Sequence, residues 1–187
     1  MKVLVFAPHN DDEVLGVGGT IAKYVSKGHD VYICEVTSSS IEERLKIIRN
    51  EAIEAHRILG VKRAYFLDFP AARLGEVPLI DMNASFLDVV NKVKPDIVFI
   101  PHKGDMHMDH YIVSHCAMVA MRPIGKFKVK EIYAYETLSE TEWNTPSVEN
   151  VFIPNVWNDI TDFMGIKKKA MSCYQSQIQE PPHPRSL

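Results

Sequence analysis

Hydrophobic and polar positions change period in blocks along the chain, and each period predicts an element. Val3, Leu4, Val5 and Phe6 form an apolar run without polar interruption, which predicts a buried strand over 2–7. From 12 to 26 the spacing turns helical, opened by acids that suit the positive end of a helix dipole and stopped at Gly28. A second strand is predicted over 30–37. A second helix follows over 41–60, where Ile41, Leu45, Ile48, Ala52, Ala55 and Leu59 line one face and Gly60 ends it. The cycle continues with a strand at 63–68, an irregular loop through Pro70, Arg73, Gly75 and Pro78, and a helix at 79–94 closed by Pro95. A strand at 96–101, a helix at 109–121, a strand at 130–138, an extended segment at 151–157 and a helix at 159–175 complete the chain. Strands alternating with helices, without internal repeat or low-complexity tract, predict an α/β fold: a Rossmann-like, mostly parallel sheet flanked by helices.

Two predicted strands end in polar clusters. The first runs into APHNDDE at 7–13, and the strand at 96–101 runs into HKGDMHMDHYIVSH at 102–115. In open α/β sheets ligands bind beyond the carboxyl ends of strands. His9 and Asp12 can aim at one point across a turn, leaving Asp11 to face a water held there. His107 and His110, three apart, can face one cavity from a first helical turn. If the two strand ends meet at one sheet edge, His9, Asp12 and His110 come together. Two imidazoles and a carboxylate with an open position suit catalytic zinc, and equally non-haem iron(II). Gly16, Gly18 and Gly19 are spaced like a dinucleotide-binding loop, but the preceding acids would repel a pyrophosphate, so they are read as allowing close packing of helix on sheet. A nucleotide or nucleotide-sugar binding protein without hydrolysis, and a non-catalytic metal-binding protein, are the competing readings. In the loop after the third strand, Arg73 and Asp68 are candidate pocket-wall residues.

The boxes HNDDE (9–13) and HMDH (107–110) occur together with GGT (18–20), ILGV (58–61), YETLSETEW (135–143), YQSQ (174–177) and HPRS (183–186). In this order, and over nearly the whole chain, they resemble the PIG-L or LmbE-like N-acetylglucosamine deacetylases, whose boxes are of HPDDE and HPDH type. The resemblance implies a zinc-dependent hydrolase, with iron(II) as the alternative ion, that removes the acetyl group from an N-acetylated amino sugar. Its substrate would be a small molecule or a glycoconjugate. The resemblance assigns metal binding to His9, Asp12 and His110 and the general acid–base role to Asp11. His107, if protonated, would face the oxyanion, with His183 from the C-terminal region as its rival, and Asp109 would orient an imidazole from behind. Arg49 is the match to a family arginine that reaches toward substrate. Asn10 stands in place of the family's proline, removing a rigid φ but no ligand. Family members extend beyond the HPRS segment, whereas this sequence stops at Leu187, so the expectation is one domain over 1–187 with a short or truncated C-terminus.

Bulk properties narrow the partners. With 187 residues, 46% of them hydrophobic, the chain suffices for one sizeable core. Its 21 basic and 24 acidic residues give a net charge of -3 with no basic stripe, so neither nucleic acid nor a membrane is an expected partner; a homo-oligomer is left open. The lysines at 167–169 are expected on a solvated helix face. Cys34, Cys116 and Cys173 are odd in number and lack CxxC spacing, which fits a reducing cytoplasm, and no leader or membrane-spanning segment is visible. Tyr111, Trp143 and Trp157 could stack on a sugar, although core packing is the commoner use of such residues. His56, His102 and His115 are read as ordinary core or surface histidines.

Overall fold

The computed structural model describes residues 1–124 and 127–186; Leu187, the last residue of the expected domain, lies outside them. Five strands form one parallel sheet: β1 (Lys2–Ala7), β2 (Asp30–Ser38), β3 (Arg63–Pro70), β4 (Ile97–Pro101) and β5 (Glu131–Tyr135), in the order β3-β2-β1-β4-β5. The helices are α1 (Asp12–Ser26), α2 (Glu42–Leu59), α3 (Leu79–Val93), α4 (Met108–Ala120) and α5 (Met164–Met171). Strand order reverses between β1 and β4, the crevice where doubly wound sheets bind ligands. Both polar clusters therefore open at the same place.

The uninterrupted apolar run of β1 is explained by two cores. Val3 and Val5 pack on one face with residues of α1, α2 and α5, and Leu4 and Phe6 pack on the other with residues of α3 and α4. Successive side chains of a strand point to opposite faces, so a sheet covered on both sides requires apolar residues at every position. Phe6 stacks on Phe86 of α3 at a centroid distance of 4.8 Å. At the end of α2, Gly60 adopts φ 76°, a left-handed conformation that glycine takes without the steric cost of a Cβ.

Three expectations change. The strand expected at 130–138 stops at Tyr135, because β4, its partner among the described residues, ends at Pro101, which pairs with Tyr135. The segment at 151–157 is extended in pattern but joins no sheet; Pro154 has no N–H to donate, and Val151, Ile153, Val156 and Trp157 are exposed. The helix expected at 159–175 is a 3-10 turn (Thr161–Phe163) followed by α5, after which the chain turns so that Tyr174 is fully buried. Within α5, Lys167 departs from the solvated face: its ammonium donates to Leu15 O at 2.8 Å, and burial lowers its pKa.

The glycines of α1 are packing residues. A Cβ on Gly16 would lie 2.3 Å from Cδ2 of Tyr135, and one on Gly19 would lie 2.6 Å from Cδ1 of Ile160. The Tyr135 ring cannot swing away without losing its hydroxyl bond to Phe6 O (2.8 Å). Gly16→Ala should therefore destabilise the fold by about 1–3 kcal/mol through overpacking. Urea titration would show this as a lower midpoint at unchanged slope, and an unchanged midpoint would contradict the packing role.

Candidate functional site

The first cluster is a tight turn that buries three consecutive carboxylates. Beyond β1, the Asp12 carboxylate accepts the His9 backbone N–H (2.9 Å), and the Asp11 carbonyl accepts the N–H groups of Val14 (3.0 Å) and Leu15 (2.9 Å) to start α1. Asp11 takes φ 121°, unusual for a residue with a Cβ, and donates its own N–H to Glu13 Oε2 (3.1 Å). This strain faces the first side chain of the DDE run into the cleft.

The second cluster starts α4. His107 is its N-cap, its Nδ1 accepting the Asp109 N–H at 3.1 Å, and His110 sits in the first turn, fully buried. Two imidazoles converge on Asp12: His110 Nε2 is 3.2 Å and His9 Nδ1 3.4 Å from Asp12 Oδ2. Behind each imidazole stands another carboxylate. Asp105 Oδ2 lies 2.8 Å from His110 Nδ1 and is itself steadied by the Thr141 hydroxyl (2.6 Å); Asp109 Oδ2 lies 3.1 Å from His9 Nε2. Asp109 is held in turn by the N–H groups of Ala72 (2.7 Å) and Leu74 (3.3 Å). Carboxylates behind imidazoles orient them and raise their basicity toward a cation in front.

The electrostatics follow from this arrangement. Burial disfavours charge on His9 and His110, yet the carboxylates outweigh it and leave their pKa values at about 9 and about 10. Burial likewise opposes the Asp12 carboxylate, but His110 and His9 hold it well below the usual range. Asp11 goes the other way: burial, with Asp12 beside it, raises its carboxyl well above that range, and the Arg185 guanidinium opposes the rise.

These residues fit a divalent ion. Ligand atoms of His9, Asp12 and His110 lie within 4.8 Å of one another, and Asp12 Oδ1 and His110 Nε2 are buried without a hydrogen-bond partner among the described residues. A buried polar atom without a partner is costly. A cation in front of both would satisfy them. The donor set of two imidazoles and a carboxylate suits zinc or iron(II).

Above this floor opens a cleft of about 470 Å³, lined by His9, Asn10, Asp11, residues 37–41, Arg44, Ile48, Ala71, Ala72, His107, Glu140, Gln177 and Arg185. His107 is half-buried, and burial together with His9 lowers its pKa, which disfavours the protonated ring on which its oxyanion role was conditioned. A charge is not needed for donation. With Nδ1 accepting from Asp109, the proton of the neutral ring resides on Nε2, which is then a donor.

The structure does not bring every expected residue to the cleft. His183 packs edge-on against Trp143 (5.2 Å) and accepts the Arg185 N–H, outside the lining. Arg185, two residues later, takes the place expected for it: Nη1 donates to Asp11 Oδ2 (3.0 Å), Nε to Ser139 Oγ (2.6 Å), and Nη2 lies 3.5 Å from Glu140 Oε1. Arg49 lies across Phe66 and pairs with Asp68, and the exposed Arg73 pairs with Glu76; neither lines the cleft, whereas Arg44 does. Asp68 is not in the lining, and neither are Tyr111, Trp143 and Trp157, all three at least half exposed or nearly so. Sequence reasoning missed Asp105, Glu140 and Arg185. The last two lie within the YETLSETEW and HPRS segments, whose pattern by itself assigns them no role.

Among the described residues, no helix is long and apolar enough to cross a membrane. A 29% identity relates 93% of the chain to 90% of an uncharacterised deacetylase, YaiS, of Escherichia coli. Diacetylchitobiose deacetylase of Thermococcus kodakarensis is 27% identical over 96% of this chain and 71% of its own length. Among solved structures, N,N'-diacetylchitobiose deacetylase from Pyrococcus horikoshii, in complex with an inhibitor, superposes with a TM-score of 0.75 at 28% identity, covering 96% of this chain and 71% of that one. The model of the family described as PIG-L, GlcNAc-PI de-N-acetylase, matches residues 4–121, which take in the sheet through β4 and both histidine clusters. The chain belongs to the PIG-L, GlcNAc-PI de-N-acetylase, family.

Proposed function

We propose that this protein is a metal-dependent hydrolase that removes the acetyl group from an N-acetylated amino sugar, an N-acetylglucosamine conjugate. The observation that carries the reading is the convergence of His9 Nδ1, Asp12 and His110 Nε2 beneath a cleft whose wall presents Asp11. Sugar deacetylases among the relatives support the substrate class. His9, Asp12 and His110 would hold the ion, zinc or iron(II), which when bound lowers the pKa of water and polarises a carbonyl.

The chain's own groups supply the rest. Amide hydrolysis adds water across the C–N bond, so one proton must leave the attacking water and one must reach the departing nitrogen. Asp11 is placed to accept the first and deliver the second, and its carboxyl, raised above the usual range by burial and by Asp12, suits a group that must both take and give a proton. Arg185 holds one of its oxygens, orienting the carboxylate while leaving the other to face substrate. The Nε2–H of His107 is the donor for the oxyanion. Ser38, Ser39, Ser40, Arg44 and Gln177 offer hydroxyl, amide and guanidinium groups to sugar hydroxyls. The three free cysteines are in keeping with the cytoplasm as the site of action.

Release of free amine from a panel of N-acetylglucosamine conjugates, N,N'-diacetylchitobiose included, should occur and be abolished by a chelator; turnover indifferent to chelation would overturn the metal-dependent reading. Asp11→Asn should keep its metal while losing roughly 10²–10⁴-fold in kcat, and full activity would remove Asp11 from proton transfer. At constant metal content, His107→Ala should lose about 10²–10³-fold in kcat and His183→Ala far less, the reverse order placing the oxyanion donor on the C-terminal segment. His110→Ala should lose the ion of this site, as read by elemental analysis.

A further inference from the structure

Beneath the cleft, on the other side of the DDE turn, lies a second group of buried donors that the proposed hydrolysis does not use. Glu13 of α1, Glu35 of β2 and His56 of α2 are fully or almost fully buried, and one ligand atom from each falls within 4.8 Å of the others. His56 Nε2 is 3.2 Å from Glu13 Oε1 and 3.1 Å from Glu35 Oε1. Among the described residues, neither oxygen of Glu35 has a hydrogen-bond partner, although its side chain has no exposure at all.

We propose that Glu13, Glu35 and His56 form a second, structural cation site that takes a divalent ion with nitrogen and oxygen preference, zinc by its donor set. Three arguments lead there. The separations of 3.1 and 3.2 Å are close to the edge, about 3.3 Å, of a tetrahedron built on zinc bonds of ~2.0 Å. Glu13, Glu35 and His56 supply three ligands of the oxygen and nitrogen type that zinc accepts, and either Glu35 oxygen is available to it. The charge also balances: two buried carboxylates beside one imidazole remain net negative even with the ring protonated, whereas a divalent ion with a neutral ring gives zero. Buried uncompensated charge is strongly unfavourable.

The surroundings match a structural role. Tyr174, fully buried, donates its hydroxyl to Glu13 Oε1 at 2.6 Å, which orients that carboxylate from behind. The other Glu13 oxygen accepts the Asp11 N–H. An ion here would tie α1, β2 and α2 together, with the segment after α5 clasped to Glu13. It would also fix the carboxylate that holds the strained Asp11 backbone. The alternative that keeps the same atoms in place is a shared proton, with one glutamic acid neutral, and the two differ in metal content.

The test is elemental analysis of the full chain, stripped of metal under denaturing conditions and refolded with zinc alone, without any activity readout. Two zinc ions per chain are expected in the unsubstituted protein, one in the isosteric Glu35→Gln variant and one in His110→Ala. The ion retained by His110→Ala should resist brief chelation, and its removal should lower the Tm. A single ion in the unsubstituted protein, undiminished by Glu35→Gln and absent from His110→Ala, would overturn the proposal and leave the shared proton. Should Glu35→Gln fail to fold, the anomalous signal at the zinc edge in crystals of the unsubstituted protein decides the matter: a peak between His56 and Glu35 is expected, and its absence beside a peak at His110 overturns the site.

Discussion

Asp11, Asp12 and Glu13 are buried side by side at the start of α1, and the rest of the site follows from how each carboxylate is compensated. The helix dipole favours negative charge at this end, but it does not by itself offset three buried carboxylates. Each is served from a different direction. Asp11 meets Arg185 from the C-terminal segment, Asp12 meets the imidazoles of His9 and His110, and Glu13 meets His56 and the Tyr174 hydroxyl. Consecutive residues at a helix start diverge in direction, so a run of three acids reaches three separate environments. One of them faces the cleft, one the floor beneath it and one the protein interior.

The same run explains why the chain closes over β1 as it does. Because β1 and β4 are neighbours, the turn after β1 and the first turn of α4 share one crevice, and the His9–Asp109 hydrogen bond and the His110–Asp12 ion pair cross-link the two halves of the sheet. Asp109 bridges further, from His9 to the backbone of the loop after β3, which sets the wall of the cleft to the same origin as its floor. Arg185 connects Asp11 with Ser139 and Glu140 on the segment after β5. A cleft assembled from six separate segments is held in register by a small number of charge-assisted bonds, which are shorter and stronger than neutral ones.

The alternation of strands with helices and the apolar faces of those elements were legible because their signals are local. Alternation of side chains in a strand and the 3.6-residue period in a helix act over a few residues, and the glycine at 60 ends α2 for a reason contained in its own φ. Where an element's length depended on a partner, the reading failed: β5 is cut short by the end of β4, and residues 151–157 have no strand beside them. Reading the α1 glycines as points of close packing of helix on sheet, from the repulsion that neighbouring acids would exert on a phosphate, holds for Gly16 against Tyr135 of β5, whereas Gly19 meets Ile160 outside the sheet.

Residue type and spacing by themselves determined that two histidine clusters would follow two strands, that Asp12 would stand within a turn of His9, and that α/β alternation would bring both to a sheet edge. Tertiary structure alone decided which groups stand behind and across from them. His9 and Asp109 are 100 residues apart and Asp11 and Arg185 are 174 apart, distances over which spacing along the chain carries no geometric information. The choice of Arg185 over His183, or of Arg44 over Arg49, turns on which side chain the packed backbone directs inward. His183 is spent on Trp143 and Arg49 on Phe66 and Asp68, contacts that exist only once the chain has folded.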